Sequence, residues 1–142
     1  DIPCLRSKVD SYSGTLPSAQ LEEAQEAIGW AEHIVIVYPL WLGDVPAYLK
    51  AFMEQVFSPD FAFNKKMQGK LTGKSARIIV TMGMPAFFYR WFFWSHSLIS
   101  LKRNILKFVG IKPIGETIIG SIETADHKKW LHSVEKLGRY GI

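Results

Sequence analysis

The residues from Pro39 to Val45 form a candidate ligand-binding loop, because they follow a predicted strand and precede a predicted helix. The run before them, Ile34 to Val37, is short and β-branched throughout, which is typical of a strand buried on both faces of a parallel sheet. Pro46 suits the first turn of a helix, because its φ is fixed and it lacks an N–H. Ligands of open α/β sheets bind beyond the carboxyl ends of the strands, so we expect this loop to contribute to a site.

A second loop of the same kind follows the apolar run Ser75 to Thr81, which also has the composition of a buried strand. It spans residues 82–86, and Gly83 within it permits a close backbone approach or a positive φ. Eight mostly aromatic residues follow, from Phe87 to Trp94. They are too few to cross a bilayer and include Arg90, so we interpret them as core, as a lid over a ligand, or as a dimer surface.

The residues that most often bind transition metals do not predict a metal site. His33, His127 and His132 have no metal-like spacing with one another or with the lone Cys4. A single cysteine cannot form an internal disulfide, which fits a reducing compartment. We therefore expect a cytoplasmic protein without a metal ion.

The composition is that of a globular protein, with 48% hydrophobic and 21% charged residues among 142. The net charge of +4 is small and its lysines and arginines are scattered, so the sequence does not indicate nucleic-acid binding. No apolar stretch approaches the length of roughly 20 residues that spans a bilayer, and no signal peptide precedes the first predicted strand. We expect one domain over residues 1–142, with no membrane insertion.

The elements that position these loops alternate between helix and strand. Breakers make residues 1–15 a predicted loop, and the last helix is predicted to be capped by Thr124 and to turn Trp130, Leu131, Val134 and Leu137 inward. The other predicted elements are a helix over 17–31, a strand at 34–37, a helix over 46–57, a strand over 75–81, a helix capped by Ser95 or Ser97 that ends at Gly110, and a strand around 117–119. This order predicts an α/β sandwich with a parallel sheet.

Two ordered motifs resemble the flavodoxin-like NAD(P)H:quinone oxidoreductases, including the bacterial NADPH-quinone reductases and the modulator of drug activity B. The first is Tyr38-Pro39-Leu40-Trp41 with the helix sequence from Val45 to Phe57, and the second is Thr81-Met82-Gly83-Met84-Pro85 followed by Tyr89. The resemblance covers about residues 17 to 125. It implies a flavodoxin-like three-layer sandwich.

The sequence also departs from this family at its beginning. The family starts with a strand, a phosphate-binding loop, a helix and a second strand, and the sequence predicts none of these here. The segment Asp1-Ile2-Pro3 resembles the point where a family member has just left its second strand. The resemblance therefore implies a partial, amino-terminally truncated domain that lacks its first two strands and its flavin-phosphate loop, and whose first strand exposes an apolar edge.

The resemblance implies a flavin-dependent NAD(P)H:quinone oxidoreductase, with FAD or FMN as cofactor, NAD(P)H as co-substrate and a quinone as acceptor. Hydride transfer would alternate in one pocket, which predicts ping-pong kinetics, and the aromatic run would form a shared surface of a homodimer. The residues implied to bind the cofactor are Pro39, Leu40, Trp41, Leu42, Thr81, Met82, Gly83 and Met84. The residues implied to be catalytic, through proton donation to the reduced flavin, are Tyr89 and His96.

Other interpretations of these residues stay open. Trp41 would otherwise only cover the following helix, residues 81–84 would form an ordinary strand-end turn, and His96 would be a capping or surface residue. The whole chain would otherwise be a cytoplasmic ancillary subunit of a potassium-efflux antiporter, as some close relatives of the family are. It would also fit a fragment that binds no cofactor.

Overall fold

The computed structural model describes residues 19–141, so the predictions for the first 18 residues, including the loop over 1–15, the helix start and the environment of Cys4, lie outside the described residues. The elements alternate along the chain as the sequence predicts. They are α1 (Ala19–Trp30), β1 (His33–Pro39), α2 (Ala47–Val56), β2 (Ser75–Thr81), α3 (Ala86–Trp91), α4 (His96–Ser100) with a π-helical continuation (Leu101–Leu106), β3 (Ile114–Ile119) and α5 (His127–Tyr140).

The three described strands form one parallel sheet in the order β1-β2-β3. Ile36 pairs with Ile78 across the first ladder, and Ile78 pairs with Glu116 across the second. The predicted α/β architecture with a parallel sheet is thereby confirmed. The carboxyl ends of all three strands meet at one edge, which brings the loops that follow them together.

One face of the sheet carries the hydrophobic core. Its strand residues alternate with a period of two, as side chains in strands do, and α2, α4 and the π-helical continuation pack against them. The residues that are buried together there include Tyr38, Ala76, Ile78, Val80, Met53, Leu98, Leu101 and Leu106. Helix α1 is attached to α2 through Gln25, whose Nε2 donates to the carbonyl oxygen of Val56 at 2.9 Å.

The prediction that β1 is buried on both faces is wrong. The side chains of Val35 and Val37 are 53% and 62% exposed, whereas Tyr38 on the other face is buried. Among the described residues β1 pairs only with β2, so it is an edge strand of the described sheet. An unbroken β-branched run has no polar residue to mark its exposed side, and this is why the sequence did not reveal the difference.

The predictions for α5 need two corrections. Its amino-terminal cap is Asp126 rather than Thr124, because an Asp126 carboxylate oxygen accepts a hydrogen bond from the Lys129 N–H at 3.1 Å. None of its residues is buried: Leu131 is 70% exposed, and the other residues predicted to face inward are only half-buried, namely Trp130, Val134 and Leu137.

Within residues 19–141, no helix is both long and apolar enough to cross a bilayer.

The segment between β2 and the π-helical continuation folds as two short helices rather than as one long one. Most of the aromatic run forms α3, and Ser95 precedes α4 with a φ of 47° and no side-chain capping bond. Ser97, the other predicted cap, lies inside α4 and is buried. A left-handed residue between two helices changes the chain direction, which turns α4 towards the core while α3 stays at the surface.

Candidate functional site

Backbone hydrogen bonds join the loops that follow the three strands. The Leu40 N–H donates to the Thr81 carbonyl oxygen at 2.8 Å, and the Met82 N–H donates to the Ile119 carbonyl oxygen at 2.9 Å. The loop after β3 returns two further bonds, from the Ser121 N–H to Met84 and from the Ile122 N–H to Met82. The carboxyl edge of the sheet is therefore one connected surface built from three loops.

The loop after β1 is a tight turn with an exposed apolar tip. Trp41 and Asp44 exchange two backbone hydrogen bonds at 2.9 and 3.1 Å, and the two residues between them have left-handed backbones, Leu42 at φ 49° and Gly43 at φ 80°. Leu42 is fully exposed, and Trp41 is also largely exposed. A leucine in this conformation is strained by about 1–3 kcal/mol, a feature that clusters at binding sites.

The loop after β2 has two unused backbone donors. Met82 is buried; its N–H donates to Ile119, the last residue of β3, and its carbonyl oxygen accepts from Ile122 in the loop after β3. Among the described residues, the N–H groups of Gly83 and Met84 make no hydrogen bond. A Cβ added at Gly83 would meet no atom within 4 Å, so its backbone lies open to an approaching ligand. Of the predicted residues 81–84, Gly83 and Met84 are thus the ones placed to donate.

The loop after β3 was not among the predicted site residues. A Cβ added at Gly120 would lie 2.2 Å from the Ala86 backbone nitrogen, so only glycine lets this loop pack against the start of α3. Ser121 follows it with a φ of 49°. The signal that could have found this loop is its position, because it follows the third parallel strand at the same edge as the other two.

Tyr89 lies beneath this surface rather than on it. Only 1% of its side chain is exposed, and its hydroxyl lies 2.7 Å from the Ser97 hydroxyl and accepts a hydrogen bond from the Leu98 N–H at 3.3 Å. These bonds fasten α3 to the first turn of α4. The role of Ser97 was missed, because a serine in a helix does not show from the sequence whether it faces the interior.

His96 lies at the surface, beside the turn after β1. Its Cε1 atom is 4.0 Å from the position that a Cβ would occupy on Gly43, which shows that the imidazole approaches the turn closely. The structure thus brings His96 to Gly43 in the predicted loop from Pro39 to Val45. It places Tyr89 one layer further in, so the two predicted catalytic residues do not share one exposed pocket in this structure.

Tyr38 adds a buried hydroxyl that the sequence did not indicate. It is the last inward-facing residue of β1, and among the described residues its hydroxyl makes no hydrogen bond. Burial raises the pKa of the Tyr38 phenol well above its usual value, with smaller contributions from Tyr89 and Asp44. The residue is therefore held neutral and cannot act as a base at ordinary pH.

The aromatic run forms an exposed cluster beside these loops. The rings of Phe88 and Phe92 stack with their centroids 5.2 Å apart, and Phe93 meets Phe92 edge-on, also at 5.2 Å. Trp91 is 83% exposed and Trp94 is also largely exposed. We call Phe87 to Trp94 the aromatic cluster.

In the described part of the chain, no group of histidine, cysteine and carboxylate side chains is arranged to hold a metal ion.

A match to a protein-family model identifies the family of this chain. The model of the flavodoxin-like fold family matches residues 4–139, nearly the whole chain. This chain belongs to the flavodoxin-like fold family. The resemblance to the flavodoxin-like NAD(P)H:quinone oxidoreductases is confirmed by this match together with the relatives that are named as NAD(P)H oxidoreductase and as quinone-linked dehydrogenase.

Several known proteins are similar to this chain in sequence or structure. A solved structure of Smu.1420 from Streptococcus mutans has a TM-score of 0.76 and 30% identity, covering 99% of this chain and 76% of that one. An NAD(P)H oxidoreductase from Haemophilus influenzae, named as uncharacterized, is 29% identical over 123 residues, 84% of this chain and 60% of its own. The human ribosyldihydronicotinamide dehydrogenase [quinone] is 27% identical over 132 residues, with 84% and 55% covered. The chain therefore spans little more than half the length of these curated relatives.

The packing of the loop after β3 predicts that Gly120→Ala destabilises this flavodoxin-like chain. The added methyl group would overlap the Ala86 backbone, so we expect the free energy of unfolding to fall by about 1–3 kcal/mol or more. Gly138→Ala is the matched control, because a Cβ at this helical position meets nothing within 4 Å. The Gly138→Ala substitution should raise the free energy of unfolding by up to about 1 kcal/mol. Urea unfolding of both variants measures the difference, and equal effects would contradict the close approach.

The buried Tyr38 hydroxyl predicts that Tyr38→Phe stabilises the chain by about 1 kcal/mol at neutral pH, because an unpartnered polar group is removed. Because the pKa of Tyr38 is raised in the folded state, the neutral phenol contributes to stability below its unfolded-state pKa of about 10. This contribution is lost as the pH rises above that value. We expect the variant to lose less stability than the wild type between about pH 9 and 11. Tyr140→Phe, at an exposed position, should change neither quantity. Parallel pH curves for wild type and Tyr38→Phe would refute the assignment.

Proposed function

We propose that this chain belongs to a flavin-dependent NAD(P)H:quinone oxidoreductase and contributes the loops that contact the flavin ring and the substrates. The observation that carries the proposal is the carboxyl edge of the sheet, where three joined loops present free backbone donors next to exposed apolar side chains. The relatives named as NAD(P)H oxidoreductase and as quinone-linked dehydrogenase support it. We propose FAD or FMN as the cofactor.

The residues at this edge suit the ring system of a flavin. The N–H groups of Gly83 and Met84 are free to donate to the polar edge of a planar heterocycle, and the open space at Gly83 lets such a ring come close. Trp41 and Leu42 offer apolar surface for the body of the ring. A bound flavin would supply the hydride chemistry, whereas the protein supplies binding, orientation and electrostatics.

The other predicted residues would act on protons and on water. In our proposal His96 holds a proton at the rim of the pocket, because its imidazole is exposed and lies against the turn after β1. Tyr89 remains a proposed proton donor, and its hydroxyl reaches the site through Ser97, the neighbour of His96. Trp41 and Leu42 would exclude water from the reacting groups.

Quinone and NAD(P)H are proposed to occupy the same pocket in turn. A Cβ added at Gly83 would meet no atom within 4 Å, so the backbone there is open to a planar ring. Two planar substrates that both need this surface would have to alternate, which gives the ping-pong order expected from the sequence.

We also propose that the aromatic cluster forms the interface of a homodimer. Several large apolar side chains are exposed together there, among them Phe87, Trp91, Phe92 and Trp94. Clusters of this kind mark protein interfaces or ligand grooves. A second subunit over the cluster would close the outer side of the pocket. The role as an ancillary subunit of a potassium-efflux antiporter stays a prediction.

The flavin proposal predicts that the purified chain, incubated with FAD or FMN, retains a visible flavin absorption band through gel filtration. Gly83→Val should weaken retention about tenfold or more, because the side chain blocks two backbone hydrogen bonds while entering open space. Gly138→Val also enters open space, on α5, and should retain flavin as the wild type does. Thermal unfolding confirms that both variants fold. No retention of either flavin by the wild type would sink the proposal.

The dimer proposal predicts that Trp91→Asp converts the protein to a monomer in sedimentation velocity experiments, because a carboxylate cannot be buried unpaired in an apolar interface. Trp30→Asp is the matched control, since Trp30 is 87% exposed on α1, outside the aromatic cluster. It should leave the sedimentation coefficient unchanged. A wild-type monomer, or an unchanged dimer in Trp91→Asp, would show that the cluster is not the interface.

A further inference from the structure

A crevice lies between the second half of α2 and the π-helical continuation, away from the candidate site. Its apolar floor is formed by Met53 and Phe57 at the end of α2, Phe63 in the loop before β2, and Ile105 and Phe108 at the end of the π-helical continuation. Met53 lies six residues beyond the first residue of α2, which is about 9 Å along the helix axis. The crevice is therefore separate from the loops at the carboxyl edge of the sheet.

The crevice has the size of one aromatic ring. Its volume is about 140 Å³, close to that of apolar cavities of about 150 Å³ that bind benzene. The rings of Phe63 and Phe108 lie with their centroids 5.1 Å apart, and a guest ring would extend this aromatic packing. Met53 is buried and the other apolar side chains of the floor are half-buried. A recessed floor of this size suits a small molecule, whereas a protein partner needs a broad exposed surface.

The polar groups that line the crevice favour a neutral molecule with a hydrogen-bond donor. Lys50 and Glu54 form an ion pair with each other, so they offer no unpaired charge to a ligand. The amide nitrogen of Asn104 donates to the Ser100 hydroxyl at 3.3 Å. Among the described residues the Asn104 amide oxygen makes no hydrogen bond, so it is available as an acceptor.

The backbone that carries Asn104 and Ile105 is itself unusual. Leu101–Leu106 is π-helical, and directly after it the Lys107 N–H donates to the carbonyl oxygen of Lys102, five residues earlier, at 3.1 Å. Turns of this type are rare and frequently lie at functional sites. The candidate site at the carboxyl edge does not include this segment. The π-helical turn is thus a second observation, independent of the cavity, that points to a ligand between these helices.

We propose that the crevice binds a neutral, single-ring phenol, whose ring packs on the apolar floor and whose hydroxyl donates to the Asn104 amide oxygen. This site does not depend on the flavin proposal. A carboxylate fits less well, because it would lose its hydration beside a cation that Glu54 already pairs. A ring without a donor fits less well because it leaves the Asn104 oxygen without a partner.

The probe is phenol, added to the chain labelled with ¹³C at its methionine methyl groups. The chain has four methionines, and only Met53 lines the crevice. Met67 lies in the loop before β2, and Met82 and Met84 lie at the carboxyl edge, so they serve as internal controls. We expect the NMR signal of the Met53 methyl to shift saturably, with a dissociation constant of about 1 mM, while the other three stay unchanged. Anisole, which has the same ring without an O–H, should bind about fivefold more weakly.

Two substitutions with matched controls test the chemistry of the crevice. Asn104→Leu should weaken phenol binding about fivefold without weakening anisole binding, a difference that a merely structural role would not produce. Arg103→Leu, also exposed on the π-helical continuation, should leave both affinities unchanged. Ile105→Trp fills the crevice and should abolish the binding of both molecules, whereas Ile99→Trp, on α4 outside the crevice, should preserve it. Circular dichroism confirms that the variants fold.

Four outcomes would overturn the proposal. The first is no saturable shift of the Met53 signal at about 20 mM phenol, about twenty times the expected dissociation constant. The second is a shift of Met82 or Met84 instead, which would place phenol at the carboxyl edge. The third is benzoate binding more tightly than phenol, or Asn104→Leu weakening phenol and anisole equally. The fourth is a Met53 signal that shifts with protein concentration alone, which would show that a second copy of the chain occupies the crevice. Retention of flavin by the same samples is measured separately, so failure of this proposal is distinguishable from failure of the flavin proposal.

Discussion

The pairing of β2 with a strand on each side determines most of the described structure. It is the only described strand with two neighbours, and its carboxyl end carries the bonds that fix the loops: the Thr81 carbonyl accepts from Leu40, and Met82 is joined to the loop after β3. Parallel ladders have evenly spaced bonds, so the register at the start of the sheet is preserved at its end. The positions of the candidate site residues are therefore set by backbone geometry more than by side-chain packing.

The side chains of β1 point alternately into the core and out of it, and the strand leads directly into the proposed site. Its inward residues end with Tyr38, whose pKa is raised by burial and, to a smaller extent, by Tyr89 and by Asp44 of the turn that follows β1. Its outward residues, Val35 and Val37, are more than half exposed. Because the side-chain period of a strand is two, a shift of one residue would expose Tyr38 and bury both valines. One register thus fixes both the interior and the proposed site.

The sequence predicted the helices and strands more accurately than the burial and hydrogen bonding of their side chains. The bounds of β2 were predicted correctly, since an apolar run between turn residues has few alternatives, and the helix predicted from Pro46 begins at Ala47. The exposure of β1 was not predictable, because valine is common in buried and in edge strands. Thr124 and Asp126 are both good capping residues, and only the local backbone decides between them. In the same way, the inward position of Ser97 depends on the left-handed turn before α4, which no residue there signals.

Two pairs of residues with left-handed backbones lie beside the candidate site. Leu42-Gly43 and Trp94-Ser95 are both pairs of consecutive left-handed residues, and each pair includes an exposed apolar side chain. The non-glycine residues among them cost about 1–3 kcal/mol each, and exposing leucine and tryptophan forgoes the stabilisation of their burial. His96 follows the second pair and lies against the first, so the strained turns converge on one place. Two unfavourable turns that flank the same histidine are expected where a bound molecule recovers the lost free energy, because neither turn contributes to the core.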